Sequence, residues 1–344
     1  MILSKIDLRS LTPQELENIV KELGEPKFRA KQIFSWLQSG VSSFDEMTNV
    51  PITLREKLNP IGYIANAEVE AKFESQLDET VKFLFRMNDG LYVESVLMKY
   101  KHGYSICIST QIGCRMGCTF CASTVNGLDR SLTASEMLAQ IMSAQKACSV
   151  KVSNIVLMGM GEPFDNYDNV LRFLQLVSHP DGMNIGMRHI SLSTCGRVDG
   201  IEKLMKEKLQ LTLSVSLHAP NDNIRSKTMP INKRWGVDEL LSACRNYIDA
   251  TGRRISFEYA MIKDVNDSDE CAFELAEKLK GMICHVNLIP ANEIRENDYV
   301  RSDMSRLNRF KALLESKGIN TTIRRTLGAD ISASCGQLRQ NYNK

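Results

Sequence analysis

Cys114, Cys118 and Cys121 stand in the run Gly113-Cys114-Arg115-Met116-Gly117-Cys118-Thr119-Phe120-Cys121, a C-x3-C-x2-C spacing in a loop that holds two glycines. Three thiolates this close grip three corners of one cubane iron–sulfur cluster and leave its fourth iron open. Structural zinc asks for four closed ligands, usually as two separated C-x2-C pairs, and no partner pair or close histidine follows here. An electron-carrying ferredoxin also needs a fourth cysteine per cluster. The spacing therefore favours an open cluster, with a zinc site or chance proximity as the bland alternatives. Further along, Gly159-Met160-Gly161-Glu162-Pro163 sets glycines, which let backbone approach a ligand, beside a carboxylate that can accept bonds from a ligand ammonium.

These residues need elements that bring them together. Strand patterns near Tyr104–Thr110, Asn154–Met158, His189–Ser193, Gln210–Leu217, Arg254–Met261 and His285–Pro290 each precede a helical pattern, which predicts an α/β fold with a parallel sheet curled as a partial (β/α)6 barrel. In such folds the site lies at the carboxyl ends of the strands, where the cysteine run and the Gly159–Pro163 turn both fall. Thr133 with Glu136 reads as a capping box that opens the first long helix. Upstream, Thr12-Pro13 and Glu15 start one helix and Lys27 to Gln38 form a second before Gly40, predicting a small helical domain over 1–62. Alternation at Val81, Phe83 and Phe85, then at Leu91 and Val93 beyond the Asn88-Asp89-Gly90 turn, predicts a β-hairpin linker over 63–101. The barrel is expected over 102–325, with a C-terminal segment over 326–344.

The 344 residues, 43% apolar and 24% charged, have the composition of an ordered globular chain. Ten cysteines are many for a cytosolic protein unless some do chemistry, and they are not spaced like the disulfide framework of a small secreted domain. No apolar run approaches the roughly 18–20 residues of a membrane span, and the first residues lack the blocks of a signal peptide, so a cytoplasmic location is expected. A net charge of +2 neither demands nor excludes nucleic acid.

The cysteine run resembles the radical SAM signature, in which the open iron binds the methionine part of S-adenosylmethionine (SAM) and an electron cleaves it to a 5′-deoxyadenosyl radical. The finer pattern resembles the RlmN family along almost the whole chain. The matching stretches are Val93-Glu94-Ser95-Val96, Gly113 to Thr124, Gly159 to Pro163, Leu192-Ser193-Thr194, Ser216 to Asn221, Asn287-Leu288-Ile289-Pro290 and Asp330 to Leu338. That family methylates C2 of an adenine in 23S ribosomal RNA and in some tRNAs. The resemblance implies a 4Fe-4S cluster on Cys114, Cys118 and Cys121, and two SAM molecules per turnover. It implies that Cys335 carries the methyl group, that Glu94 accepts the C2 proton, and that Cys107 resolves the adduct through a transient disulfide with Cys335. Gly161, Glu162, Ser193, Ser216, Leu217, His218 and Asn292 match the SAM contacts. The same resemblance implies RNA substrates, an electron donor such as flavodoxin or ferredoxin, and a monomer.

Taken singly, Cys107 would read as a small core hydrophobe, Cys335 as an ordinary tail cysteine, His218 as a satisfied loop histidine and Glu94 as a solvent-facing strand residue. Cys148, Cys244, Cys271 and Cys284 match no role; Cys195, close to Ser193, is the one to watch. Arg324-Arg325 and the small N-terminal domain are candidates for phosphate contacts, although Lys27, Arg29 and Lys31 within that domain read first as a solvated face. The nearest rival is the Cfr-type relative that methylates adenine C8, and Ala122-Ser123-Thr124 favours C2. A non-enzymatic iron–sulfur protein and a protein-modifying radical SAM enzyme are the remaining alternatives.

Overall fold

A computed structural model describes residues 5–338 apart from Glu293 and Glu296, so residues 339–344 of the expected C-terminal segment lie outside it. The N-terminal unit is clasped at its two ends by strand β1 (Ile6–Asp7) pairing with β2 (Gly62–Tyr63). Between them run helices α1 (Pro13–Glu22), α2 (Phe28–Ser39) and α3 (Ile52–Ile61). Thr12 and Glu15 form the expected kind of start, each side chain bonding the other's backbone N–H, and Gly40 ends α2 at φ +92°. Arg9 is fully buried beneath this unit, where its guanidinium donates to the carbonyls of Leu37, Val41 and Ala65. A buried cation is tolerated there because three carbonyl dipoles replace its water.

Strands β3 (Ala67–Glu74), β4 (Val81–Met87) and β5 (Tyr92–Tyr100) pair antiparallel with one another, and β5 pairs antiparallel with β6 (Gly103–Cys107). Here the structure differs from the hairpin expected over 63–101. The segment forms three long strands that extend the barrel sheet, because β4 and β5 bury side chains on both faces and cannot stand apart as a linker. A short ribbon of β7 (Gln111–Gly113) and β8 (Leu128–Ser131) follows, and α4 (Ala134–Cys148) starts on the expected Thr133–Glu136 capping box.

Beyond it β9 (Val152–Leu157), α5 (Tyr167–Val177), β10 (Ile190–Thr194), α6 (Val198–Glu207) and β11 (Thr212–Ser216) alternate. They continue through α7 (Asp222–Thr228), α8 (Val237–Thr251), β12 (Ile255–Met261), α9 (Asp269–Leu279), β13 (Cys284–Pro290), α10 (Met304–Ser316) and β14 (Thr321–Ile323). The sheet runs β14-β13-β12-β11-β10-β9-β6-β5-β4-β3, parallel from β14 to β6. The six expected strands are present, and β14, with only three residues of alternation, joins them as a seventh. Successive strand residues face opposite sides. Leu192, Leu213, Val215, Ile255, Phe257, Val286 and Leu288 are buried in the main hydrophobic core, while Ser191, Ser214, Ser256 and Asn287 lie on the opposite, polar face.

Arg9→Met would strand three carbonyls without a donor, at a cost of at least about 3 kcal/mol. Urea unfolding followed by hydrogen exchange in α1 and α2 should show these helices opening earlier. An unchanged midpoint would mean that the guanidinium does not hold the unit together.

Candidate active site

The ribbon β7/β8 explains the shape of the cysteine loop. Its two strands bring Gly113 and Leu128 side by side, and Cys114 N–H donates to the Gly127 carbonyl at 2.8 Å, so the intervening residues close into a compact loop. Inside it Cys121 N–H bonds the Cys118 carbonyl at 3.1 Å, and the Thr124 hydroxyl bonds the Cys121 carbonyl at 2.9 Å. Thr119 N–H reaches across to the Thr228 carbonyl at 2.9 Å. All three thiols line one cleft of about 1050 Å³, partly open to solvent, together with Met116, Phe120 and Met229. Burial pushes the Cys114 thiol up to about 12 and raises those of Cys118 and Cys121 as well. Soft thiol donors in so apolar a pocket become thiolates only when a strongly attracting cation binds them, which suits an iron–sulfur cluster.

The strand ends furnish the rest of this cleft. Gly161 has φ +98°, and a Cβ there would come 2.5 Å from Gln111 Cβ, so only glycine turns the chain this tightly. The turn delivers Glu162 with one carboxylate oxygen accepting from Phe164 N–H at 3.0 Å and the other from Cys195 N–H at 2.7 Å. Burial raises the Glu162 carboxyl, and these backbone donors oppose the rise. Ser193, Ser216, His218 and Asn292 line the same cleft as Gly161 and Glu162. Leu217 does not: its side chain is in the core, its N–H bonds the Glu258 carbonyl at 3.1 Å and its carbonyl accepts from Arg225. His218 accepts Ala260 N–H on Nδ1 at 2.9 Å, so its proton sits on Nε2. Burial, with Arg225 second, lowers His218 to about 3.

Cys335 also lines the cleft, and with Cys107 it lines a second, smaller cavity of about 560 Å³ next to it. Asn292 Nδ2 donates to the Cys335 carbonyl at 3.0 Å, and Ala122 N–H donates to the Gly336 carbonyl at 2.7 Å. The Cys107 thiol is pushed up to about 12 by burial first and by the nearby Cys335 second, with Arg324 opposing. Glu94 lies on the face of β5 that carries Val96 and Met98 into the smaller cavity, but it lines neither cavity. It is buried rather than solvent-facing, with Oε1 at 3.2 Å from Lys82 Nζ.

Residues 108–276 match the radical SAM superfamily, and residues 6–64 match the ribosomal RNA large subunit methyltransferase N-terminal domain. Two relatives named probable dual-specificity RNA methyltransferase RlmN are similar over nearly their full length. The protein of Alkaliphilus oremlandii is 52% identical over 99% of this chain and 99% of its own, and that of Clostridium novyi 54% identical over 98% of each. The crystal structure of a radical SAM methyltransferase from Sphaerobacter thermophilus has a TM-score of 0.93 at 44% identity, covering 97% of this chain and 99% of that one. The chain belongs to the RlmN family.

As an RlmN-family protein it is a radical SAM RNA methyltransferase that uses SAM and a 4Fe-4S cluster. Two residues important to this site, Arg225 and Glu258, were not singled out from the sequence, and a third, Arg324, was singled out for a different role. Arg225 is fully buried and ties two strand ends together, donating to the carbonyls of Cys195 (2.6 Å), Ser216 (3.1 Å) and Leu217 (3.0 Å). Glu258 is a buried carboxylate in the cleft wall, held by Asn287 Nδ2 at 2.8 Å. Arg324, expected as a phosphate contact, points inward instead: it lines both cavities and lies 3.9 Å from Glu258 Oε2, while Arg325 is exposed. No motif marks these three, since each acts by where the fold turns it. Cys195 packs with Cys118 and Met229 beside the triad.

The unfolded chain protonates a histidine near pH 6.5, whereas folded His218 stays neutral down to about 3. The unfolded state therefore binds the extra proton, and stability is lost as pH falls below about 6.5. In cluster-free protein, the loss of stability from about pH 7.5 to about pH 5 should be smaller in His218→Gln than in the natural chain. Equal losses would mean that His218 is not held neutral.

Proposed function

We propose that this RlmN-family enzyme methylates C2 of adenine in the peptidyl-transferase centre of 23S ribosomal RNA and in the anticodon stem-loop of tRNA, through S-methylated Cys335. The observation that carries this reading is the position of Cys335 in the wall between the cleft of the cysteine triad and the cavity of Cys107. Adenine C2 is neither acidic nor a good nucleophile, so polar methyl transfer does not reach it. Bound in the cleft, the cluster and SAM supply the 5′-deoxyadenosyl radical.

Cys335 takes its methyl group as a thiolate by displacement on one SAM, then loses a hydrogen atom from that methyl. The methylene radical left on its sulfur adds to C2. Glu94 accepts the C2 proton, and Lys82 beside it provides the positive charge that a buried carboxylate requires. The adduct's odd electron would return to the cluster, when bound, which spent one electron in cleaving SAM. The Cys107 thiolate then attacks the sulfur of Cys335, forming a disulfide, and the base leaves with the C–S electron pair and takes up a proton on its methylene carbon. Gly161, Glu162, Ser193, Ser216, His218 and Asn292 hold SAM, with the carboxylate of Glu162 toward its ammonium. Leu217 contributes by fixing the turn between Ser216 and His218. The Ala122-Ser123-Thr124 stretch after the triad favours C2 over the C8 chemistry of Cfr-type enzymes. The enzyme acts as a cytoplasmic monomer and receives its electrons from flavodoxin or ferredoxin.

Reconstituted enzyme given methyl-deuterated SAM and a ribosomal RNA fragment should yield 2-methyladenosine carrying two deuteriums, read by mass spectrometry of digested RNA. A product methylated at C8 would assign Cfr-type chemistry, and three retained deuteriums would exclude the methylene route. Cys107→Ala should leave protein and RNA covalently joined on a denaturing gel; free, fully methylated RNA from that variant would remove Cys107 from the scheme.

Because Cys107 is neutral at ordinary pH, release should quicken about tenfold per pH unit between about pH 7 and pH 9. A single-turnover chase measures this, and a flat profile would mean that its thiolate is not the attacking group.

A further inference from the structure

The segment that carries Cys335 leaves β14 at one end of the sheet and comes to rest on the turn between β3 and β4 at the other. Asp330 accepts the Ser75 hydroxyl and the Gln76 backbone N–H, each at 2.7 Å. In return, Asp78 of the turn accepts the Gly328 N–H at 3.0 Å, while its other oxygen takes the Thr80 N–H at 2.9 Å. Between these two carboxylates the chains fit closely. Gly328 has φ +60°, and a Cβ there would stand 2.7 Å from Ala333 Cβ and 2.9 Å from Thr80 Cγ2. Thr80 and Ala333 are both buried. Lys82, just past the turn, reaches the Ser332 carbonyl at 3.5 Å.

Ser75, Gln76, Asp78 and Asp330 line neither cavity, so these contacts are not part of the SAM or thiol surroundings. What they share is the backbone leading into Cys335. On the other side of Cys335, Ala122 N–H and the Ser123 hydroxyl hold the carbonyls of Gly336 and Leu338 at 2.7 and 2.8 Å. The cysteine is thus suspended between an anchor on the cluster loop and an anchor on the far turn.

We propose that the β3–β4 turn is a docking clip for the Cys335 segment, with Asp78 and Asp330 as positioning residues that set where the Cys335 sulfur stands between the two cavities. This rests on the reading of Cys335 as the methyl carrier. Loosening the clip moves the sulfur while Gly161, Glu162, Ser193, Ser216 and His218, which are set by the strand ends, stay in place around SAM. Radical formation then continues while transfer to RNA falls, so the two outputs separate. A merely structural loss would lower both together.

The test uses full-length reconstituted Asp78→Ala/Asp330→Ala enzyme, checked for iron content equal to the natural enzyme. Two quantities are read: 5′-deoxyadenosine formed per adenine methylated, and amide hydrogen exchange of residues 327–338. Both should rise, each by about tenfold, as expected when charge-assisted hydrogen bonds are removed. Asp330→Asn, which keeps an oxygen for one of the two bonds, should recover part of the coupling. An unchanged ratio overturns the proposal whatever the exchange shows, and a raised ratio with unchanged exchange overturns the clip as its cause. If the double variant does not fold, the same two readouts on Asp330→Asn and on Gly328→Ala, which crowds Thr80, decide in the same way. Natural enzyme run alongside separates the two readings: undiminished RNA methylation by Cys335→Ala would defeat the methyl-carrier reading, whereas a clip variant with intact coupling beside a working natural enzyme defeats only the clip.

Discussion

A parallel sheet that stops short of closure cannot enclose a reaction by itself, and the rest of this molecule answers that constraint. The ten-stranded order ends at β14 on one side and β3 on the other. A carbon radical must be kept from solvent and from side reactions, so something other than a strand has to wall it in. The residues after β14 do this, crossing the strand ends to the β3–β4 turn and from there passing on to the cluster loop, with Cys335 placed in the wall between the two. The three antiparallel strands that extend the barrel are therefore more than an edge. They supply the surface on which the crossing segment lands.

A polar barrel interior follows from the same arrangement. Helices cover the outer face and take the apolar side chains, leaving the inner face to small polar groups that hydrogen-bond one another. Thr322 joins His285 Nε2 at 2.9 Å and Asn287 Oδ1 at 3.2 Å, and Asn287 in turn holds Glu258. Glu258 faces Arg324, whose charge is favoured first by the nearby Cys335 and then by Glu258. Buried ions of this kind persist when their partners are fixed in place. Arg225 plays the corresponding part beside the cysteine triad, where four donated bonds lock the ends of β10 and β11 and a loop asparagine, Asn232. Both arginines thus hold strand ends in register with the cleft.

Much of this was legible in the sequence, for reasons that particular residues make plain. Cys114, Cys118 and Cys121 are local in the chain, so their spacing alone carries their chemistry. Thr12–Glu15 and Thr133–Glu136 announce helix starts through bonds made within four residues. The strands of the barrel read correctly because each has one face against helices. Arg225 and Glu258 were not legible, and Arg324 was legible only as a surface charge, since the partners of all three lie on other strands and loops. The three-stranded extension was underread for a related reason: strands buried on both faces lose the alternation that would mark which side meets the core. Asp78 and Asp330 are about 250 residues apart, as the Asp78–Gly328 bond spans, and no local pattern announces such a pairing.

On the proposed route the Cys335 sulfur accepts a methyl group, holds it while it loses a hydrogen atom and then joins a disulfide, so it has to face different reagents in turn. In a cleft of one compartment those reagents would compete, and a resolving thiolate beside SAM would itself be methylated. On that route two features would spare Cys107 this fate. It lines the smaller cavity and not the cleft of the triad, and burial keeps its thiol neutral at ordinary pH. Cys335 alone lines both spaces among the two cysteines. On the proposed route, the order of the steps is therefore set by walls and by protonation. Cys335 is the more accessible of the two sulfurs and meets SAM from one side, and Cys107 acts last, from the other, once the adduct gives it a sulfur to attack.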